Sequence, residues 1–87
     1  MTPPKQLSGP DPSYTPQALE REVEGTMLVQ CIVTQDGMVH DCRVLKSLPY
    51  MDGAVIHALE QRRYAPALID GRPVDVEFLF RIQLRMP

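Results

Sequence analysis

The stretch VDVEFLFRIQLRM, from Val74 to Met86, alternates apolar and polar side chains more regularly than any other part of the chain. Apart from Leu79, its apolar members fall at every second position: Val74, Val76, Phe78, Phe80, Ile82, Leu84 and Met86. Because successive side chains of a β-strand point to opposite faces, this period predicts one long terminal strand with an apolar face against a core. Such a strand is longer than its expected sheet neighbours, so we expect part of it to extend beyond them.

An amphipathic helix is predicted before this strand, separated from it by the turn sequence Asp70-Gly71-Arg72-Pro73. Its core-facing positions follow the i, i+3, i+4, i+7 rhythm: Met51, Ala54, Val55, Ala58, Leu59 and Arg62. Asp52 is the predicted cap, and the helix is expected to close near Arg63 because Pro66 disfavours helical geometry at Ala65.

A β-hairpin is predicted further towards the N-terminus. TMLVQCIVT, residues 26–34, alternates so that Met27, Val29, Cys31 and Val33 share one face, and Asp36-Gly37 is a strong hairpin-turn signal. MVHDCRVLK, residues 38–46, should then return antiparallel. Because Val39 and Val44 are an odd number of residues apart, both can face the core only if a bulge lies between them, near His40 and Asp41.

The two cysteines, Cys31 and Cys42, face each other if Asp36-Gly37 forms a two-residue turn. A cross-strand disulfide is then geometrically feasible and would suit an oxidising compartment such as the bacterial periplasm. The alternative is a pair of buried free thiols, and the register shift caused by a bulge leaves both open.

A first short helix is predicted between Tyr14 and Gly25, with Thr15 as its cap, Pro16 at its first position and Gly25 at its end. Tyr14 is expected to staple onto Leu19. Residues 1–13 hold four of the nine prolines and show no apolar period, so they are predicted to be an extended linker tail. The folded domain is therefore expected to comprise residues 14–87.

The predicted order α-β-β-α-β indicates an α+β fold, a small two-layer domain with two helices on one face of a three-stranded antiparallel sheet. Eighty-seven residues with 44% apolar content suffice for one core. The net charge of -2 and the lack of a basic stretch argue against nucleic-acid binding. No apolar run is long enough to span a membrane, so the chain as given is expected to be soluble.

Neither a metal site nor an active site is predicted. His40, His57 and the two cysteines lack the spacing of a zinc site. The chain has no nucleophile elbow, Walker loop or convincing acid–base pair, so we expect no cofactor and no enzymatic activity.

A sheet of three strands leaves edges exposed, and the terminal strand contains no internal Pro or Gly to block its edge. Addition of a partner's strand at this edge is one interpretation. The alternatives are an ordinary core strand and an edge used for homodimerisation. The outer face of the strand is expected to be solvated, except for the apolar Leu79, which could contact a partner.

Several motifs, in this order and spacing, resemble those of the TonB C-terminal domain family. They are Tyr14 and Ala18 at the start of the domain, Glu24-Gly25-Thr26-Met27, the hairpin positions Val33, Asp36-Gly37 and Val39, Met51-Asp52 with Ala54, Arg63-Tyr64-x-Pro66-Ala67, and Gly71-x-Pro73-Val74. The proline-rich lead-in is similar to the periplasmic linker that precedes this domain in the family.

The resemblance implies a periplasmic module of an energy transducer that is anchored in the inner membrane and draws on the proton gradient through ExbB and ExbD. It implies that the last strand binds the TonB box of outer-membrane receptors. The expected partner-binding residues are Val74, Val76, Glu77, Phe78, Leu79, Phe80, Arg81 and Ile82, with Asp11, Ser13 and Tyr14 as a second contact. A TolA-like or other envelope scaffold, self-associating through the same edge, is the rival hypothesis.

Overall fold

The computed structural model describes residues 1–86 and contains two helices and seven strands. In chain order they are β1 (Lys5–Ser8), α1 (Pro16–Glu20), β2 (Gly25–Val33), β3 (Val39–Lys46), α2 (Asp52–Glu60), β4 (Arg63–Ala65), β5 (Ala67–Ile69), β6 (Arg72–Val74) and β7 (Val76–Leu84).

The main sheet has three antiparallel strands in the order β3-β2-β7. Strand β7 pairs with β2 without a register shift, from Gly25 opposite Leu84 to Val33 opposite Val76. The two smaller sheets each contain two strands, β1 with β4 and β5 with β6. The three-stranded antiparallel sheet agrees with the prediction, whereas the two small sheets were not predicted.

One face of the main sheet forms the core, together with residues from both helices. The predicted hairpin face, Met27, Val29, Cys31 and Val33, is almost completely buried. It packs in one cluster with Ala18 of α1 and with Val55 and Leu59 of α2. Because both helices cover the same sheet face, the predicted α+β class is confirmed.

The β2–β3 hairpin contains the predicted bulge. Near the turn Ile32 lies opposite His40, whereas beyond the bulge Gln30 lies opposite Arg43, so Cys31 alone faces both Asp41 and Cys42. Asp41 adopts a left-handed φ of 52° at this point. The turn spans three residues rather than the predicted two, because Thr34 N–H donates to the Met38 carbonyl oxygen. The extra turn residue and the bulge shift the β2–β3 pairing by one residue in opposite directions, so Cys31 still faces Cys42. A disulfide joins the two cysteines.

Helix α1 is shorter than predicted, although Thr15 caps it by accepting a hydrogen bond from Ala18 N–H. Glu22 takes a left-handed φ of 53°. Its N–H donates to the Leu19 carbonyl, and Val23 N–H donates to the Ala18 carbonyl, which is the Schellman pattern that ends helices. The helix therefore ends at Glu20 rather than continuing to Gly25.

Helix α2 also differs from its prediction at both ends. Asp52 is its first residue and not its cap; Met51 holds the cap position, without a side-chain hydrogen bond. The helix ends at Glu60 because Arg63 begins β4, which pairs with β1. Its predicted core-facing positions are otherwise buried or half-buried, including Arg62.

The long terminal strand is divided at Asp75, so the prediction that it extends beyond its neighbours is wrong. The Asp75 carboxylate accepts a 2.7 Å hydrogen bond from Gln35 N–H in the hairpin turn. Strand β2 ends at Val33, opposite Val76, and residues 72–74 pair with β5 across the predicted Asp70-Gly71 turn. Val74 therefore lies in a different sheet from the rest of the predicted binding strand.

The predicted linker tail is extended, and part of it is paired with the domain. Within residues 1–13, β1 pairs with β4, and Thr2 forms a bridge with Leu68. The domain boundary at residue 13 stays a prediction. The last residue of the predicted domain, Pro87, lies outside the described residues.

Candidate functional site

The free edge of β7 is the principal candidate site. Within residues 1–86, β7 pairs with β2 on one side and with no strand on the other. Its nine residues contain neither Pro nor Gly, and its pairing with β2 has no irregularity. It therefore presents a regular row of main-chain donors and acceptors, which is the geometry that a further strand needs.

The opposite edge of the sheet, β3, is less regular. Its pairing with β2 shifts register twice, once at the bulge beside Asp41 and once near Leu45. Bulges and exposed charges such as Arg43 and Lys46 are the features by which proteins discourage strand addition. The two edges therefore differ in their capacity to accept a guest strand.

The inward side chains of β7 hold the strand against the domain. Phe80 and Ile82 are buried, and Phe78 is half-buried. The Phe78 and Phe80 ring centroids lie 5.1 Å apart, and Tyr64 lies 6.4 Å from Phe78 and 5.7 Å from Phe80. Tilted and edge-to-face aromatic contacts at these distances stabilise the core side of the strand. A guest can therefore meet these residues mainly through their main chain.

The outward side chains of β7 are exposed. Glu77 accepts a 2.9 Å hydrogen bond from the Gln30 side chain of β2. Leu79 is 48% exposed, as expected from the sequence, and Arg81 lies one alternate position further along the same face. These three side chains are the ones that a neighbouring strand would contact.

The predicted second contact is divided between two places. Asp11 borders a groove of about 400 Å³ beside Arg81–Leu84 of β7. Ser13 borders only a second groove, of about 310 Å³ against α2, which Asp11 also lines. Tyr14 donates a hydrogen bond to the Val23 carbonyl and so helps to close the α1 turn. Of these residues, only Asp11 lies beside the β7 edge.

Arg62 is a residue that the sequence interpretation placed in the core without a role at the site. It is 7% exposed, and its guanidinium donates to the Pro10 carbonyl at 3.2 Å and pairs with Asp11 at 3.4 Å. It thereby attaches the segment before α1 to the domain and borders the groove beside β7. The sequence signal for this role is a charged residue at a core-facing position of the predicted helix.

Other kinds of site have little support in the described part of the chain. Residues 1–86 contain no group of three or more His, Cys, Asp or Glu side chains arranged to hold a metal ion. Within the same residues, neither helix has the length and apolar content needed to cross a membrane.

Comparison with known proteins agrees with this architecture. The family model described as "Gram-negative bacterial TonB protein C-terminal" matches residues 10–85. The chain is 32% identical over 87 residues to Protein TonB of Pseudomonas aeruginosa, an alignment that covers 93% of this chain and 25% of that protein. The chain thus spans about a quarter of the length of this relative.

A solved structure gives the same result for the fold. The solution NMR structure of the Pseudomonas aeruginosa TonB CTD superposes with a TM-score of 0.70 at 28% identity, covering 97% of this chain and 89% of that one. The family match extends from the segment beside Arg62 to the end of β7. The chain therefore belongs to the TonB C-terminal family.

Proposed function

We propose that this domain is the receptor-binding module of a TonB-like energy transducer, and that it captures the TonB box of outer-membrane receptors by β-strand addition at β7. The observation that carries the proposal is the free, regular edge of Val76–Leu84. In strand addition, main-chain hydrogen bonds supply affinity and alternate side-chain positions supply selection. The inference needs no catalytic chemistry, and the proposed role is mechanical.

The inward and outward side chains of β7 have different roles in this proposal. The aromatic cluster and the uninterrupted β2 pairing hold β7 against the domain, so a guest strand binds an edge that is already ordered. Preorganisation of this kind lowers the entropic cost of association. Leu79 and Arg81 on the outer face then contact the side chains of the guest.

The proposed cellular setting is the periplasm. In this proposal a segment outside these residues anchors the protein in the inner membrane, and ExbB and ExbD act on that segment to supply energy from the proton gradient. The Cys31–Cys42 disulfide is consistent with an oxidising compartment. Membership of the TonB C-terminal family supports the same setting.

An NMR titration with TonB-box peptides from receptors of the source organism tests the proposal. We expect amide shifts to concentrate on residues 74–84. Phe78→Pro and Leu79→Pro should be compared, because N–H groups of successive residues point to opposite edges of a strand. One of the two prolines removes an N–H that points to the free edge of β7, away from β2. That variant should stay folded and bind the peptide about tenfold or more weakly.

The matched control is Lys46→Pro, which places a proline at the end of the other edge strand. It should bind the peptide like the original protein. Undiminished binding by a folded β7 proline variant, or shifts confined to β3, would contradict strand addition at β7.

Self-association through the same edge is the alternative. Sedimentation velocity over a range of concentrations, with and without peptide, separates the two functions. A dimer that pairs β7 strands and persists in excess peptide would favour the envelope scaffold.

A further inference from the structure

The segment before α1 is attached to the domain in two different ways. Residues 2–8, called the strap below, lie antiparallel to residues 63–68 through the β1–β4 pairing and the bridge to Leu68. Residues 9–11 instead contact Arg62. The whole segment therefore runs along one continuous stretch of the domain, but its two parts are held by different kinds of contact.

The strap is held mainly by main-chain hydrogen bonds. All its side chains except that of Pro4 are exposed, Leu7 by 66%, and the buried core side chains of the described chain begin only at Ala18. Thr2 N–H donates to the Leu68 carbonyl at 2.9 Å, and Leu68 N–H donates to the Thr2 carbonyl at 3.0 Å. An exposed main-chain hydrogen bond gains little over the same bond to water, and each ordered residue loses conformational entropy. The strap should therefore open at a small cost.

Residues 9–11 form a firmer attachment, centred on the buried side chain of Arg62. Its Nε–H donates to the Pro10 carbonyl at 3.2 Å, and its guanidinium pairs with Asp11 at 3.4 Å. Gly9, with a φ of 121°, packs so closely that a Cβ there would lie 2.6 Å from the Arg62 Cα. Detachment at this point would leave a buried charge with fewer partners, which costs more than opening the strap.

We propose that the strap is a releasable segment, and that Gly9–Asp11 on Arg62 is the point at which a pull from the N-terminal side enters the folded domain. The inference rests on the proposed function for the source of the pull. Under tension residues 2–8 detach from residues 63–68, while the Arg62 contacts and the core stay intact. The freed strap, about 23 Å long at 3.3 Å per residue, then turns towards the pull without unfolding the domain.

Hydrogen exchange of two amides tests the order of release. Leu68 N–H donates to the Thr2 carbonyl of the strap, whereas Tyr64 N–H donates to the Gly37 carbonyl of the hairpin turn. Both amides lie on the stretch that the strap covers, so they form a matched pair. After correction for intrinsic rates, Leu68 should exchange about a hundredfold or more faster than Tyr64, because Leu68 opens with the strap and Tyr64 only with the domain. Equal protection of the two amides would overturn the proposal.

Two variants separate the strap from the firmer attachment. Deletion of residues 2–8 should abolish protection of the Leu68 amide and leave the Arg62 Nε–H protected, because the Pro10 carbonyl remains. Gly9→Ala forces a Cβ against the Arg62 main chain, so Arg62 Nε–H should exchange about tenfold or more faster than in the original protein.

The matched control is Gly71→Ala, which also places alanine at a positive φ, of 77°, but with open space around the new Cβ. It should leave Arg62 Nε–H exchange unchanged. Two results would contradict the two-part attachment: loss of Arg62 protection in the strap deletion, or an unchanged Arg62 signal in Gly9→Ala.

Optical-trap pulling measures the release directly, with one handle at residue 1 and the other at Asp70→Cys in the turn after Leu68, attached with the native disulfide closed. The strap should open in a reversible step of roughly 45 Å before the domain unfolds, because the strap and the edge it leaves then lie end to end. Deletion of residues 2–8 should remove this step.

These measurements use no guest peptide, so the two proposals fail separately. A single unfolding step, without earlier extension, overturns the order of release and leaves strand addition at β7 standing. A failed peptide titration overturns strand addition and leaves the order of release standing.

Discussion

The Tyr14 hydroxyl donates a 2.7 Å hydrogen bond to the main-chain carbonyl oxygen of Val23. Val23 N–H in turn donates to the Ala18 carbonyl. Together the two hydrogen bonds close the turn that ends the short helix α1 before β2 begins. Two effects raise the pKa of Tyr14 above its usual 10.0. Burial of the ring is the larger, and the negative charge of Glu24 is the smaller. The folded state therefore favours the protonated phenol.

Tyr14→Phe tests the pH dependence that follows. Because the folded pKa is raised, the contribution of Tyr14 to stability is fully present below pH 10.0 and is lost as the pH rises through the folded pKa. The original protein should therefore lose stability more steeply than Tyr14→Phe in urea unfolding between about pH 9 and 11. The variant should also be less stable at pH 7, because the hydrogen bond is absent. Parallel pH profiles for the two proteins would contradict this assignment.

Reduction of the Cys31–Cys42 disulfide should lower the free energy of unfolding by about 2–4 kcal/mol. The bond links residues 11 apart across the bulge, so its loss restores conformational freedom to the unfolded loop and leaves the bulge less constrained. Urea unfolding with and without reductant gives the difference. The matched control, Cys31→Ala with Cys42→Ala, should be insensitive to reductant, and equal stability of the oxidised and reduced original protein would contradict the prediction.

The sequence predicted the three antiparallel strands of the main sheet and their core face because these depend on local periodicity. The alternation around Val29 and the spacing around Val55 each require one buried face, and both faces meet in one core. The errors occur where tertiary contacts override local signals. Glu22 ends α1 in a left-handed conformation usual for glycine, and Asp75 bonds to the hairpin turn instead of continuing the strand.

The candidate site was predictable in part for a similar reason. An uninterrupted terminal strand with the exposed Leu79 is visible in the pattern of residues 74–86. The position of Asp11 beside that strand is not, because it depends on Arg62, which lies 51 residues away in the chain. Such a pair joins two segments that no local pattern relates, and only the fold brings them together.

Leu59→Ala should destabilise the domain by about 2–5 kcal/mol. Leu59 of α2 is 0% exposed and packs in the core cluster with residues of β2 and β7, so its truncation leaves a cavity. Leu45→Ala is the matched control, because Leu45 is 55% exposed on β3 and its loss should change stability by about 0.5 kcal/mol or less. Chemical denaturation measures both, and similar losses for the two variants would contradict the assigned core.

Gly37→Ala and Gly53→Ala should change stability in opposite directions. Gly37 has a φ of 79°, and a Cβ there would collide with the Tyr64 carbonyl oxygen, at the point where Tyr64 N–H donates to the Gly37 carbonyl. Its substitution should cost about 1 kcal/mol for the left-handed backbone alone, and more for the collision.

Gly53 lies in α2 with open space around its missing Cβ. Alanine there should stabilise the domain by about 0.5–1 kcal/mol, because glycine loses more backbone freedom in a helix. Urea unfolding of both variants checks the pair. A neutral effect of Gly37→Ala would mean that the hairpin turn does not pack on β4 as described, since the collision requires that contact.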